Sequence, residues 1–240
     1  MRWHQTIACS QNAGRRLVGR RLWLLLLGLL TVGSSSTLAE GVEGYRVEVV
    51  TGLPTESPLA DSIRTELAPS GVRLLDASGA TLCELWLRGE IPLPGEEVAG
   101  ASFSKIGEGS FVGVIHFPKS GGDFRGQGLK AGWYTMRYAL ILQDGNHLGV
   151  SPSRDFLLFS PVAEDPDPTH PLSIQTLYQK SRAAAGSGHP SSWSLVYPTE
   201  ETGLPRVVTN HEEHVILELI LPTAGTQTAV GLIVIGKTEG

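Results

Sequence analysis

Leu129-Lys130-Ala131-Gly132-Trp133-Tyr134-Thr135-Met136-Arg137-Tyr138-Ala139-Leu140-Ile141-Leu142 carries the clearest structural signal in the chain. Tyr134, Met136, Tyr138 and Leu140 recur at every second position, with Trp133, Thr135 and Arg137 on the alternate face. Successive side chains of a strand point to opposite sides, so the alternation predicts a strand with one face in the core. Asp144-Gly145 follows, a tight-turn dipeptide, and 154–160 predicts the returning strand, closed by Pro161.

Toward the N-terminus, 110–117 is a strand, joined to the central one through the glycine-rich loop 118–128. The segment 90–109 is a loop of unusual length for a compact domain, and such loops are often functional or mobile. Ala77-Ser78-Gly79 turns 72–76 into 80–87 as a hairpin, and Tyr45-Arg46-Val47-Glu48-Val49-Val50 again alternates with period two. Ile63 and Leu67, four apart, predict a short helix over 59–67, stopped by Pro69-Ser70-Gly71. Toward the C-terminus, 169–185 is helical. Thr169 or His170 is its expected cap, Pro171 suits its first turn, and Ile174, Leu177 and Tyr178 make an apolar stripe. Short strands follow near 193–197, 214–221 and 230–235, the last two separated by Pro222 and Gly225. About nine strands and one or two short helices, without strand–helix alternation, disfavour a doubly wound parallel sheet. The expected fold is mainly β: one antiparallel β-sandwich domain over 40–240, with a helical insertion near 169–185.

The composition agrees. The chain of 240 residues is 41% apolar and 18% charged, enough to build a core, and its 29 Gly and 15 Pro favour turns over a helical bundle. Positions 1–39 read as a secretory signal peptide. Arg15, Arg16, Arg20 and Arg21 flank the apolar stretch 22–32, no acidic residue precedes Glu40, and Thr37-Leu38-Ala39 offers a cleavage site after Ala39. The apolar stretch is too short for a stable span, so the membrane is met only through the signal. Export to the periplasm or beyond follows. All 24 acidic residues and only 14 of the 19 basic ones lie after position 39, a net charge of −10. That charge repels a phosphate backbone and excludes ordinary nucleic-acid binding. Removal of the signal takes Cys9 with it and leaves Cys83 alone, in an apolar run that reads as a buried structural thiol.

Asp123-Phe124-Arg125-Gly126-Gln127, Gly132-Trp133-Tyr134-Thr135-Met136-Arg137-Tyr138, Asp144-Gly145-Asn146-His147-Leu148-Gly149 and Ser153-Arg154-Asp155-Phe156 occur together here. With Cys83-Glu84-Leu85-Trp86-Leu87 and Gly188-His189-Pro190, the set resembles a group of exported bacterial β-rich proteins of unknown function. The resemblance implies an exported domain and no particular activity. Ala131-Gly132-Trp133-Tyr134-Thr135 also looks like the turn-to-strand passage of transthyretin-like β-sandwich modules, which implies an immunoglobulin- or transthyretin-like architecture. Fold does not fix function.

Several constellations invite a chemical reading. Asp144, Asn146, His147, Arg154 and Asp155 belong to one hairpin loop, where a histidine oriented by a carboxylate could act as base or ligand. The simpler reading is that Asp144 shapes its turn and Arg154–Asp155 pair at a strand mouth. Asp123 and Arg125 lie in the 119–127 loop, whose glycines lack the Gly-Lys-Ser/Thr and the following helix of a phosphate cradle. His211-Glu212-Glu213-His214 has its histidines three apart at a strand start, which is not zinc-protease spacing; two solvated histidines are the reading preferred. Asp165 and Asp167 are separated by prolines and read as a rigid linker rather than a calcium loop. No Gly-x-Ser-x-Gly elbow occurs. Trp86, Trp133, Tyr138, Trp193 and Tyr197 could include a sugar-stacking platform, though apolar flanks favour core packing.

The residues thus point first to a non-enzymatic envelope protein without cofactor or metal. It would bind a small molecule or a protein partner through Asp123, Arg125, Asp144, His147, Arg154, Asp155 and His189, provided the 119–127 and 144–155 loops meet. A hydrolase using His147 or His189 with a neighbouring carboxylate is the alternative, and a purely structural envelope component is the third reading.

Overall fold

The computed structural model describes residues 44–122, 128–142, 152–185 and 189–236. In chain order these form β1 (Arg46–Thr51), α1 (Asp61–Arg64), β2 (Ser70–Leu75), β3 (Thr81–Leu87), a 3-10 turn (Ser104–Ile106), β4 (Phe111–Phe117), β5 (Gly121–Gly122), β6 (Gly128–Leu129), β7 (Gly132–Leu140), β8 (Asp155–Pro161), α2 (Ile174–Ala185), β9 (Ser192–Val196), β10 (Arg206–Thr209), β11 (Val215–Thr223) and β12 (Thr226–Ile235). The mainly β, antiparallel expectation holds, with two helices. In place of two clearly separate layers, ten strands make one hydrogen-bonded sheet, in the order β1-β2-β3-β4-β7-β8-β9-β12-β11-β10. The sheet curls until its edge strands β1 and β10 touch, so it is nearly a barrel.

β9 makes the bend. Its Ser192, Trp193 and Ser194 pair with β8, and its Leu195 and Val196 pair with β12. Strands that change partners in this way build the corners of closed or stacked β folds. One core fills the interior, drawn from both parts of the sheet: Val47, Leu85, Ile115, Met136, Tyr138, Phe159, Trp193, Leu217, Leu219 and Leu232 all belong to it. The alternation of β7 is realised here, since Tyr134, Met136, Tyr138 and Leu140 all face inward.

The outer face is also partly covered. Ile63 of α1 and Leu67 pack on Trp86, Phe111 and Val114. α2 lays Leu177 on Ala139, Phe156 and Leu158. Strands β4, β7 and β8 are therefore buried on both sides, which explains their nearly unbroken burial. α2 starts later than the sequence suggested. Its cap is Ser173, whose Oγ accepts from the Thr176 N–H at 3.3 Å. Thr169 is used instead in a turn on Asp167, donating N–H and O–H to Oδ1 at 2.9 and 2.6 Å. The strand Arg206–Thr209 was not foreseen, because four residues are too few to show a period.

Candidate functional site

Strand direction decides which loops share an end of the barrel. β7 runs from Gly132, opposite Phe117, to Leu140, opposite Asp155. The described roots of the 119–127 loop thus leave one end of β7, and those of the 143–151 loop leave the other. Nine residues of strand separate them by roughly 26 Å. These roots do not bring the two loops together as one site. Asp123, Arg125, Asp144 and His147 themselves lie outside the described residues. His189 is exposed and precedes β9, whose first residue Ser192 pairs with Leu158 in the middle of β8, whereas Arg154 and Asp155 stand at the start of β8. Three of the seven predicted site residues are described, and of these Arg154 and Asp155 stand side by side while His189 lies apart from them.

Asp155 is fully buried, and its carboxylate is a hub. Oδ2 accepts from the Ser102 N–H at 2.7 Å and from Ser153 Oγ at 3.1 Å. Oδ1 accepts from the Phe103 N–H at 2.9 Å and from the Tyr138 hydroxyl at 2.5 Å. Burial, and then the adjacent Asp155, push the Tyr138 hydroxyl far above its ordinary range, so it stays a donor. Next to it Arg154 extends Nη1 to the Ala99 carbonyl. Arg154, the residue before β8, and Asp155, its first, thus clamp two points of the 88–110 loop onto the barrel mouth. Ile91, Phe103 and Ile106 of that loop are buried in the main core and plug the mouth from above. Ile91 also sutures the loop to the β11–β12 turn: its N–H donates to Pro222 O at 2.7 Å, and its carbonyl accepts from Ala224 N–H at 2.9 Å. The long loop that sequence reading marked as functional or mobile is an anchored cap.

The cap does not fill the mouth. A groove of about 570 Å³ remains between it and the first residues of β12, lined by Val98, Ala101, Ser102, Phe103, Thr226 and Thr228 among others. Its walls are small or apolar, with Glu97 and Lys105 paired at 2.8 Å on its exposed lining. Tyr197 packs on Phe103 with ring centroids 5.5 Å apart and is 70% exposed. Among the five aromatics considered for stacking, Trp86, Trp193 and Tyr138 are core residues, and Trp133 stacks on both His116 and Trp86. Tyr197 alone of the five is largely exposed.

Sequence reading missed a second polar centre. Arg137 and Asp165 are both buried on the outer side of β7. Nε and Nη2 of Arg137 grip the carboxylate at 2.7 and 2.9 Å, Nη1 donates to the carbonyls of Gly109 and His170, and Nη2 also reaches Asp167 O. Thr135 adds a hydroxyl bond to Asp165 at 2.7 Å. The guanidinium is fully used, which makes this a structural knot that fastens 165–170 to the sheet. Gly109 belongs to it, with φ +83° and its Cα against the Leu172 backbone, where a Cβ would come within 2.1 Å of Leu172 O. Arg137 looks solvent-facing in a period-two reading because nothing local announces the segment that covers it. Asp165 is accordingly a buried ion-pair partner, not part of a merely rigid linker.

The remaining candidates are quiet. His214 is buried, against the expectation of two solvated histidines, with Nδ1 3.1 Å from Glu212 Oε2; His211 is exposed. Among the described residues no cluster of three metal-ligating side chains occurs. Burial pushes the Cys83 thiol up to about 12, which removes it as a nucleophile. No family model, curated protein or solved structure matches this chain.

Proposed function

We propose that the chain is an exported, envelope-associated binding protein without catalytic activity, and that the groove between the 88–110 cap and β12 receives its ligand or partner. The observation that carries this reading is the state of Asp155. Both its oxygens are engaged by four donors, so the carboxylate has no acceptor position left to turn toward a substrate. It serves as a positioning residue for a wall of the groove. The exposed ring of Tyr197 beside Phe103 supplies the kind of aromatic anchor that binding surfaces use. The basic flank, apolar stretch and Thr37-Leu38-Ala39 support export, to the periplasm or the exterior. The resemblance to exported bacterial proteins agrees with it. β9's change of partner supports reading the curled sheet as two sandwich-like layers joined at a corner. For the hydrolase alternative, the register of β8 and β9 argues against the one pairing of His189 with Asp155, since a base and its orienting carboxylate must lie within hydrogen-bond reach, while His147 lies outside the described residues.

The test is a thermal-shift panel of sugars, peptides and small carboxylates on the purified protein and on Thr228→Trp, whose indole fills the groove. A ligand that binds the folded state raises Tm by linkage. The reading expects at least one class to raise Tm of the wild type and not of the variant. Equal shifts in both proteins, or no shift with any class, contradict it. Terminal sequencing of material exported by a bacterial host should begin at Glu40.

A further inference from the structure

We infer that the groove takes an extended polypeptide, which adds itself as a strand to the free edge of β12. The inference rests on the binding reading above and names its ligand class.

β9 stops at Val196, opposite Gly231, while β12 continues five residues further, back to Thr226. Over Thr226–Val230 the strand is paired on its β11 side only. Which groups face outward follows from Pro222. It lies opposite Gln227, has no N–H to give, and its carbonyl is taken by Ile91 from the far side. Pro222 and Gln227 are therefore a non-hydrogen-bonded pair of the antiparallel ladder, and Gln227 turns its N–H and C=O away from β11. Alternation puts those of Ala229 on the same side. The next residue in phase, Gly231, is the one that β9 reaches. Among the described residues, none hydrogen-bonds the backbone of Gln227 or Ala229. β8 begins at the same level, since Phe156 faces Ser194 and Asp155 is the strand's first residue, so beyond Val196 no residue of β8 lies beside the free edge of β12. The cap, held at Asp155, lies next to this part of β12 and leaves the groove against Thr226 and Thr228.

An edge of this kind offers two donors and two acceptors spaced for the backbone of a strand. The two residues stand roughly 7 Å apart, the two-residue repeat at which an extended peptide presents its own outward-facing N–H and C=O groups. The walls select small side chains, because Ala101, Ser102 and Thr228 stand close to the edge. Charge selects the rest. Glu90, Glu96 and Glu97 stand exposed on the cap, with Lys105 already paired to Glu97, and the chain is acidic overall. The occupant is thus a segment of a partner protein, with small or β-branched residues inward and lysine or arginine at the rim. A second copy of this acidic chain is disfavoured by repulsion.

The full-length chain should be titrated with the capped peptide acetyl-Lys-Thr-Ala-Thr-Ala-Lys-amide and with sequences enriched from a displayed random heptapeptide library, while the amide signals of Gln227 and Ala229 are followed by NMR. The inference expects enriched peptides to be basic, both amides to shift, and N-methylation of alternate peptide residues to weaken binding about tenfold. Gln227→Pro, at an exposed site whose N–H serves no ladder bond, should weaken binding similarly with Tm unchanged; Ala229→Pro repeats the test one pair deeper. Peptides that bind equally well to both proline variants, or no enrichment above background, overturn the inference. Concentration-dependent dimers with the same amide shifts would replace the partner by a second copy. If peptides fail while another ligand class loses its Tm shift in Thr228→Trp, the binding function stands and the strand-addition claim falls.

Discussion

Asp155 and Asp165 are both buried carboxylates beside β7, on opposite faces of the sheet, and they are held in different ways. Asp165 meets a cation, gripped at two points by Arg137 with a threonine hydroxyl to spare. Asp155 has neutral donors on both oxygens, two of them amides from the cap and two of them hydroxyls. The first arrangement fastens a crossover segment over two-sided strands and leaves no room beside it. The second holds a cap against an otherwise open mouth and leaves a groove. Buried charge marks construction in one case and the edge of a working surface in the other, and the donors around it tell which.

The comparison can be broken most forcefully at Arg137. Arg137→Leu leaves Asp165 buried without its cation and should cost about 3–5 kcal/mol in urea unfolding. Combining it with Asp165→Leu should recover much of that loss. A cost below about 1 kcal/mol for the single variant would mean that the knot is not as dry as its burial implies. Asp155→Asn should cost less, about 2 kcal/mol, because two amides and two hydroxyls lose a charged acceptor while no opposite charge is stranded. Ligand affinity should fall further than stability does. Tyr138→Phe removes one of the hydroxyl donors and should cost about 1 kcal/mol in the same assay.

The smallest effect is one of pH. Burial opposes the charge of Glu84, yet bonds from His116 and Arg73 outweigh it and hold the carboxyl below its ordinary range. Bonds from the Thr169 hydroxyl and amide hold that of Asp167 at about 2. Lowered folded values mean that this stability is present above the unfolded pKa, near 4, and is lost as pH falls through the folded ones. Melting temperature should therefore be level from pH 7 to about 5 and decline toward pH 2. Glu84→Gln should flatten part of that decline, and an unchanged profile would remove the pair with His116 from the account.

How much of this was legible in the sequence differs between the two carboxylates. Period-two alternation placed Tyr134, Met136, Tyr138 and Leu140 inward, because a strand's own geometry sets that pattern. The hairpin join of Leu140 with Asp155 followed from proximity in the chain and a turn dipeptide, so Arg154 and Asp155 stood out at the strand mouth, although Arg154 bonds to carbonyls and Asp155 to neutral donors where a mutual pair was expected. Their partners did not, since Ser102 and Ala99 arrive from more than fifty residues away. Arg137 and Asp165 gave no signal at all: an arginine on a strand's second face looks solvated until a distant segment covers it. Ser173 took the capping role expected of Thr169 or His170, because Asp167 had already drawn Thr169 into its own turn. The groove depends on where β9 ends relative to β12, a register that no local pattern encodes.

Amide hydrogen exchange of the wild type and Asp155→Asn tests the central claim most directly, because it reads Ser102 and Phe103 separately from the rest. The account predicts that both amides are protected in the wild type and exchange far faster in the variant, while those of β7 and β8 stay slow. Equal exchange across 97–106 in the two proteins would show that Asp155 does not hold the cap, and the proposed groove would lose its wall.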